Sequence, residues 1–225
     1  MRVARQLVPK EYGLLQIDKT LLPNFPTDKF PVIVRGGTTF NITVSGISTQ
    51  DDLFFAISGI FIPFVDRLKN DRTPFIYNAY LFQDNVLTVA PTMLGAGSIT
   101  YLSSIDPPGR SNRAYYLNNR NNAFAFQANA LAGGWRMMFD FFKTDSGPWG
   151  IGTFLGIANL PAFGPLSVLC YRHIEYDPKS YFFVQGDVSF NVPSLSSTTF
   201  QSVTGLTAYK LFQEDLSVPC SHFGT

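Results

Sequence analysis

The chain has 225 residues, enough for one large domain or two small ones. Only 15% of its residues are charged, where soluble domains typically carry about 25%. The net charge of +1 argues against a general nucleic-acid binder, which needs a basic field. With 45% hydrophobic residues, 22 of them Phe, the composition also excludes intrinsic disorder.

The first 31 residues predict an extended arm. Pro9, Pro23, Pro26 and Pro31 interrupt this segment too often for a stable helix. The basic residues at the start of the chain are not followed by an apolar stretch of about 7–15 residues, so no signal peptide is expected. We therefore divide the chain into an arm, residues 1–31, and one β domain, residues 32–225. Because no signal peptide is expected, the two cysteines are predicted to be reduced.

Alternating apolar and polar residues separated by turn signals predict about nine or ten short strands. Residues 74–91 are predicted as a hairpin, whose arms are FIYNAYLF and VLTVA. Residues 135–143 place Trp135, Met137, Phe139 and Phe141 on one face. Other strands are expected in residues 38–47, 98–103, 166–176, 180–192, 198–209 and 211–218, whereas residues 53–64 and 123–132 each suit either a short helix or a strand. The fold class is all-β, a single β-sandwich or jelly-roll-like domain.

A charge-free run extends from Ser146 to Tyr171. Its five Gly and three Pro residues argue against a membrane-spanning helix. Sparse charge on an apolar surface favours association. The run and the arm are therefore predicted to make subunit contacts in a homo-oligomer.

Two cysteines and two histidines raise the question of a metal site. Cys170, His173, Cys220 and His222 offer the right ligand types for zinc. Their spacing matches no zinc finger or ribbon, and a strand would point Cys170 and His173 to opposite faces. No metal and no other cofactor is predicted.

A polar strand edge is the closest approach to a catalytic group. His173, Glu175 and Asp177 alternate on one strand face, where an acid–base pair is conceivable. A solvated polar edge is the more common explanation of such a pattern. The sequence also lacks the phosphate-binding, hydrolase and metalloprotease motifs, so it predicts a non-enzyme.

One stretch, residues 107–139, contains no acidic residue. Arg and Tyr are enriched at binding hot spots, which favours a contact loop for an acidic or polar partner, although a solvated loop would show the same composition. The candidate partner-binding residues are Arg110, Arg113, Tyr115, Tyr116, Arg120 and Arg136.

An extended arm, a surface poor in charge, many Phe residues and no catalytic motif are together typical of virion structural proteins. We therefore predict a capsid, capsid-decorating or bacteriophage tail or baseplate subunit, made in the host cytoplasm, located in the virion and assembling with itself and other particle proteins. Neither a membrane span nor nucleic-acid binding is expected. The alternative is a carbohydrate- or receptor-binding β-sandwich that stacks glycans on Tyr115, Tyr116, Trp135 or Trp149.

Overall fold

A computed structural model of the chain describes residues 1–40, 43–44, 47–48, 55–108 and 123–224. The described residues are mostly strands, with few helices, and most of the strands belong to one large curled sheet. This confirms the predicted all-β, sandwich-like fold class.

The elements follow one another along the chain in short units joined by turns. Their bounds are α1 (Arg2–Leu7), β1 (Gly13–Leu14), β2 (Ile33–Thr39), β3 (Thr43–Val44), β4 (Ile47–Ser48), β5 (Phe55–Asp66), β6 (Pro74–Gln83), α2 (Val86–Ala96), β7 (Thr100–Asp106), β8 (Ala123–Ala130), β9 (Arg136–Thr144), α3 (Ile151–Ala158), β10 (Ala162–Phe163), β11 (Leu169–Cys170), β12 (His173–Glu175), β13 (Tyr181–Val192), β14 (Leu195–Ala208), β15 (Phe212–Glu214), β16 (Val218–Pro219) and a final 3₁₀ turn (Cys220–Phe223).

The main sheet has the order β1-β5-β6-β7-β8-β9-β13-β14, with β2 beside β5 and β10 beside β6. Most neighbours are antiparallel, whereas β6 is parallel to β7 and to β10. The β6–β7 ladder is short and pairs Leu81 with Thr100, Phe82 with Tyr101 and Gln83 with Leu102. Short pairs β3–β4, β11–β16 and β12–β15 lie outside this sheet.

The sheet curls until strands from its two halves face one another. A Cβ on Gly36 of β2 would come within 2.6 Å of the Phe139 ring of β9. Near the β13–β14 turn, the Tyr80 hydroxyl of β6 donates a hydrogen bond to the Ser194 hydroxyl at 3.0 Å. The inner face therefore encloses the main core.

Aromatic side chains fill this core. Phe126 and Phe139 stack with ring centroids 5.1 Å apart. Met137, Phe139 and Phe141 are buried while their neighbours in β9 are exposed, as the alternation predicted. Such a pattern arises because side chains of a strand alternate between faces and only one face here meets the core.

The second arm of the predicted hairpin is wrong, since residues 86–96 form helix α2. The Asn85 side chain caps the helix by accepting a hydrogen bond from the Leu87 amide at 2.9 Å. The buried amide of Gln83 bonds the hydroxyls of Thr88 and Thr92, which lie one helical turn apart. These contacts outweigh the β preference of VLTVA and the unfavourable Pro91.

The predicted long connection after β9 contains α3 and β10. The single strand expected in residues 166–176 is instead two short strands, β11 and β12. Only parts of the strand expected in residues 38–47 lie inside the described residues. No helix of the described ranges is long and apolar enough to cross a membrane.

Cys170 and Cys220 form a disulfide that joins β11 to the end of β16. The prediction of reduced cysteines is therefore wrong. With two cysteines only one pairing within the chain exists, but the sequence does not show whether two thiols 50 residues apart come together.

The N-terminal segment packs on the domain. Ala4, Leu7 and Val8 are buried in the main core. The Trp149 indole donates a hydrogen bond to the Pro23 carbonyl at 3.0 Å, and its ring lies against Phe25. The division at residue 31 stays a prediction.

Glycine at position 186 allows β13 to approach β9. A Cβ there would lie 1.9 Å from the Asp140 carbonyl oxygen, which is backbone and cannot rotate away. We expect Gly186→Ala to lower the free energy of unfolding by about 1–3 kcal/mol, measured by urea denaturation. Gly205→Ala is the matched control, because its Cβ would meet Val184 at an ordinary 3.6 Å. Equal stability of the two variants would contradict this packing.

The disulfide should stabilise the fold by restricting the unfolded chain. We expect reductant to lower the free energy of unfolding by about 2–5 kcal/mol. The double variant Cys170→Ala/Cys220→Ala should be equally destabilised and should no longer respond to reductant. A wild-type midpoint that is unchanged by reductant would show that the bond is not formed in solution.

Candidate functional site

A cluster of charged side chains surrounds the buried carboxylate of Glu175. Arg35 bonds one carboxylate oxygen through Nη2, and Lys210 bonds the other through Nζ. The Nε2 atom of His173 lies 3.6 Å from the oxygen that Arg35 contacts. We call these four residues the Glu175 cluster.

Three separate parts of the chain supply the Glu175 cluster. Gly36 faces the core, so strand alternation places Arg35 on the outer face of β2. His173 and Glu175 are the two ends of β12, and Lys210 lies just before β15, the partner strand of β12. The site therefore lies outside the curled sheet, between the sheet and the β12–β15 pair.

Hydrogen bonds and rings hold the cluster in place. Asn159, after the last residue of α3, accepts from the Glu175 amide at 2.6 Å and donates to the Glu175 carbonyl at 3.1 Å. The His173 ring stacks on Phe212 at 4.6 Å, and the Arg35 guanidinium lies 5.4 Å above the Phe61 ring. The Glu175 backbone and the side chains of His173 and Arg35 are thus held in place by neighbouring residues.

Glu175 is a buried anion surrounded by cations. Its side chain is 2% exposed, whereas those of Arg35 and Lys210 are 39% and 25% exposed. Burial alone would raise the pKa of Glu175, but Arg35, His173 and Lys210 outweigh burial and hold the pKa well below its usual range. Glu175 therefore stays a carboxylate.

The two nitrogen bases shift in opposite directions. Burial, together with the Arg35 charge, lowers the pKa of Lys210 in spite of the attraction of Glu175. Burial also acts to lower the pKa of His173, yet its contacts with Glu175 and with Glu214, 3.3 Å from Nδ1, raise it overall. Shifted groups gathered at one place are a common mark of a functional site.

The sequence pattern identified half of this cluster. His173 and Glu175 share a strand face as expected, but Glu175 is buried rather than part of a solvated edge, and Asp177 is exposed beyond the end of the strand. Arg35 and Lys210 carry no sequence signal, since they are 140 and 35 residues from Glu175.

Most of the predicted partner-binding residues fall outside the described part of the chain: Arg110, Arg113, Tyr115, Tyr116 and Arg120. Arg136 is exposed at the start of β9 and pairs in register with Asn129 and Asn191. The prediction of a contact loop stays open.

The other groups considered from the sequence have structural contacts. Trp135 packs against the core, and Trp149 holds the N-terminal segment. The disulfide removes both thiols as metal ligands. Among the described residues, no three His, Cys, Asp or Glu side chains are grouped as a metal site.

The fold and the Glu175 cluster define a class: an all-β, half-barrel-like protein with a buried Lys–Glu–Arg site. Two solved structures of the enduracididine biosynthesis enzyme MppR share this fold, one with HEPES buffer bound and one complexed with pyruvate. Each has a TM-score of 0.50 and 11% sequence identity over 96% of this chain, and the match covers 79% and 83% of the two MppR chains. No protein-family model and no curated protein matches the sequence.

These structural neighbours overturn the predicted role. The prediction of a virion structural protein located in the virion is wrong, because the solved structures that share this fold are of a biosynthetic enzyme. The prediction of a non-enzyme and the alternative of a carbohydrate- or receptor-binding module are wrong for the same reason. An arm and sparse charge were insufficient grounds, since both also suit an enzyme whose core is unusually aromatic. Self-association stays a prediction.

Replacing the central carboxylate should destabilise the fold. Glu175→Gln leaves Arg35 and Lys210 against a neutral, buried amide. We expect it to lower the free energy of unfolding by about 2–4 kcal/mol. This loss is smaller than the loss from breaking a fully buried ion pair, because Arg35 is partly in solvent. Glu214→Gln is the control, because Glu214 is 53% exposed and should contribute less than about 1 kcal/mol.

The same pair of variants tests the protonation state of Glu175. Its pKa is lowered in the folded protein, so its contribution is present above the unfolded value of about 4.3 and is lost as the pH falls further. Denaturation at neutral and acidic pH should show a smaller acid-induced loss for Glu175→Gln than for the wild type. An equal loss would show that Glu175 is not the ionised centre of the cluster.

Proposed function

We propose that the protein is an enzyme that acts on a small oxo acid through a Schiff base on Lys210. The observation that carries this proposal is the partly buried amine of Lys210, with its lowered pKa, beside a guanidinium and a buried carboxylate.

An amine attacks a carbonyl carbon only in its neutral form. Enzymes increase the neutral fraction by desolvating a lysine or by placing a second cation nearby. Both conditions act on Lys210, since it is largely buried and Arg35 shares its carboxylate partner. Enough of Lys210 remains exposed for a small molecule to reach it.

Arg35 suits the binding of a substrate carboxylate. Its contact with Glu175 uses Nη2, and a guanidinium carries five N–H donors in all. The side chain is 39% exposed and its plane is supported by Phe61. A carboxylate held there would place the adjacent carbonyl carbon near Lys210.

Glu175 and His173 have different roles in this proposal. Glu175 stays ionised and holds Arg35 and Lys210 side by side. His173, whose pKa is raised overall, is the group of the cluster able both to give and to accept a proton. The neutral lysine nitrogen adds to the carbonyl carbon and gives up its two protons, the carbonyl oxygen takes up two protons, and this oxygen leaves as water as the C=N bond forms.

The choice of oxo acids has support outside the cluster. The structural neighbour MppR has been crystallised with pyruvate, an oxo acid. At 11% identity the likeness concerns the fold, so pyruvate serves here as a probe of the substrate class.

Reductive trapping tests the proposal directly. Incubation with pyruvate and cyanoborohydride should convert the Schiff base into a stable secondary amine on Lys210, detected by mass spectrometry of the intact chain and its peptides. Lys210→Arg keeps the positive charge but cannot form the imine, so it should show no trapped adduct.

Lys143→Arg is the matched control, because Lys143 is exposed on β9 and lies over the Phe182 ring. It should be trapped as fully as the wild type. Label spread over surface lysines, or equal label on Lys210→Arg, would refute the role of Lys210.

A further inference from the structure

A cleft of about 500 Å³ lies between the N-terminal segment and β6. We propose that it is a second ligand site, separate from the Glu175 cluster, that binds a small aromatic molecule carrying one carboxylate. The lining includes Arg5, Leu7, Lys10, Tyr77, Tyr80 and Ser194. The proposal does not depend on the proposed Schiff-base chemistry.

The size of the cleft suits a small organic molecule. Ligand sites commonly have volumes of about 300–1,000 Å³. Leu7 and Val8 line one side and are buried in the core. The aromatic residues Tyr77 and Tyr80 also line the cleft, and aromatic walls favour an aromatic ligand.

The cleft offers hydroxyl groups at fixed positions. Tyr77 is 4% exposed, yet its hydroxyl makes no hydrogen bond with any described residue. Burial, with smaller effects from Tyr80, Tyr12 and Glu11, raises the pKa of Tyr77, so the hydroxyl keeps its proton. Tyr80 donates to Ser194, which leaves the oxygen of Tyr80 free to accept. The Tyr77 hydroxyl is therefore available to donate a hydrogen bond to a ligand oxygen.

Two cations lie at the mouth of the cleft. Arg5 and Lys10 are exposed there. Arg5 uses Nη1 for a long contact, 3.4 Å, with the Tyr12 carbonyl, and Lys10 makes no hydrogen bond or ion pair within the described ranges. These two cations favour a ligand that carries a carboxylate.

Naphthoate, a fluorescent aromatic carboxylate, is a suitable probe. We expect saturable binding that is at least about tenfold tighter than that of naphthalene methanol, which has the same ring and no charge. Arg5→Gln/Lys10→Gln should remove this preference, and Tyr77→Phe should weaken naphthoate binding by about three- to tenfold. These variants change two exposed side chains and one oxygen atom, so the fold should be retained.

Two controls locate the probe. Arg2→Gln removes an exposed charge of α1 that does not line the cleft and should leave the affinity unchanged. Lys210→Arg should bind naphthoate like the wild type, whether or not pyruvate is trapped. Absence of saturable binding, equal affinity for the uncharged analogue, an unchanged Arg5→Gln/Lys10→Gln variant, or loss of binding in Lys210→Arg would overturn the proposal.

Discussion

The close approach of β2 to β9 is the constraint on which the rest of this structure depends. At Gly36 the Phe139 ring occupies the space that a Cβ would need. This contact brings the two halves of a long sheet together around an aromatic core, and Gly186 permits a second close approach between β13 and β9. A curled sheet of this kind buries one face of its strands and leaves the outer face to carry other elements.

The position of the charge cluster follows from that curl. Because Gly36 must point inward, Arg35 must point outward, where β12 and the segment before β15 cover it. Glu175 then becomes buried between the sheet and its covering, and a buried carboxylate requires cationic partners. The inward position of Gly36 and the outward position of Arg35 thus link the closing of the sheet to the position of the Glu175 cluster.

The sequence predicted those features that depend on local alternation. β9 and β13 were located well, because each has one face on the core and therefore a strict two-residue period. Helix α2 was missed, because its stability comes from the buried Gln83 and the Asn85 cap rather than from the preferences of VLTVA. Within the Glu175 cluster, the sequence pattern identified only His173 and Glu175, because these two residues lie two positions apart on one strand. Arg35, Lys210 and the disulfide depend on contacts between distant parts of the chain, which one sequence does not reveal.

The short β6–β7 ladder has a consequence for how the protein folds. It is the sheet's connection between an early antiparallel block, β1, β2, β5 and β6, and a late one, β7, β8, β9, β13 and β14. Apart from this ladder, contacts between the blocks, such as that of Gly36 with Phe139, are distant in sequence, and such contacts form slowly because a long loop must close first. Each block can pair its own strands early, yet Arg35 comes with the first block and Glu175 with a segment 140 residues later. The charged site can therefore form only once these distant parts of the chain have met, so it depends on the docked fold and not on secondary structure alone.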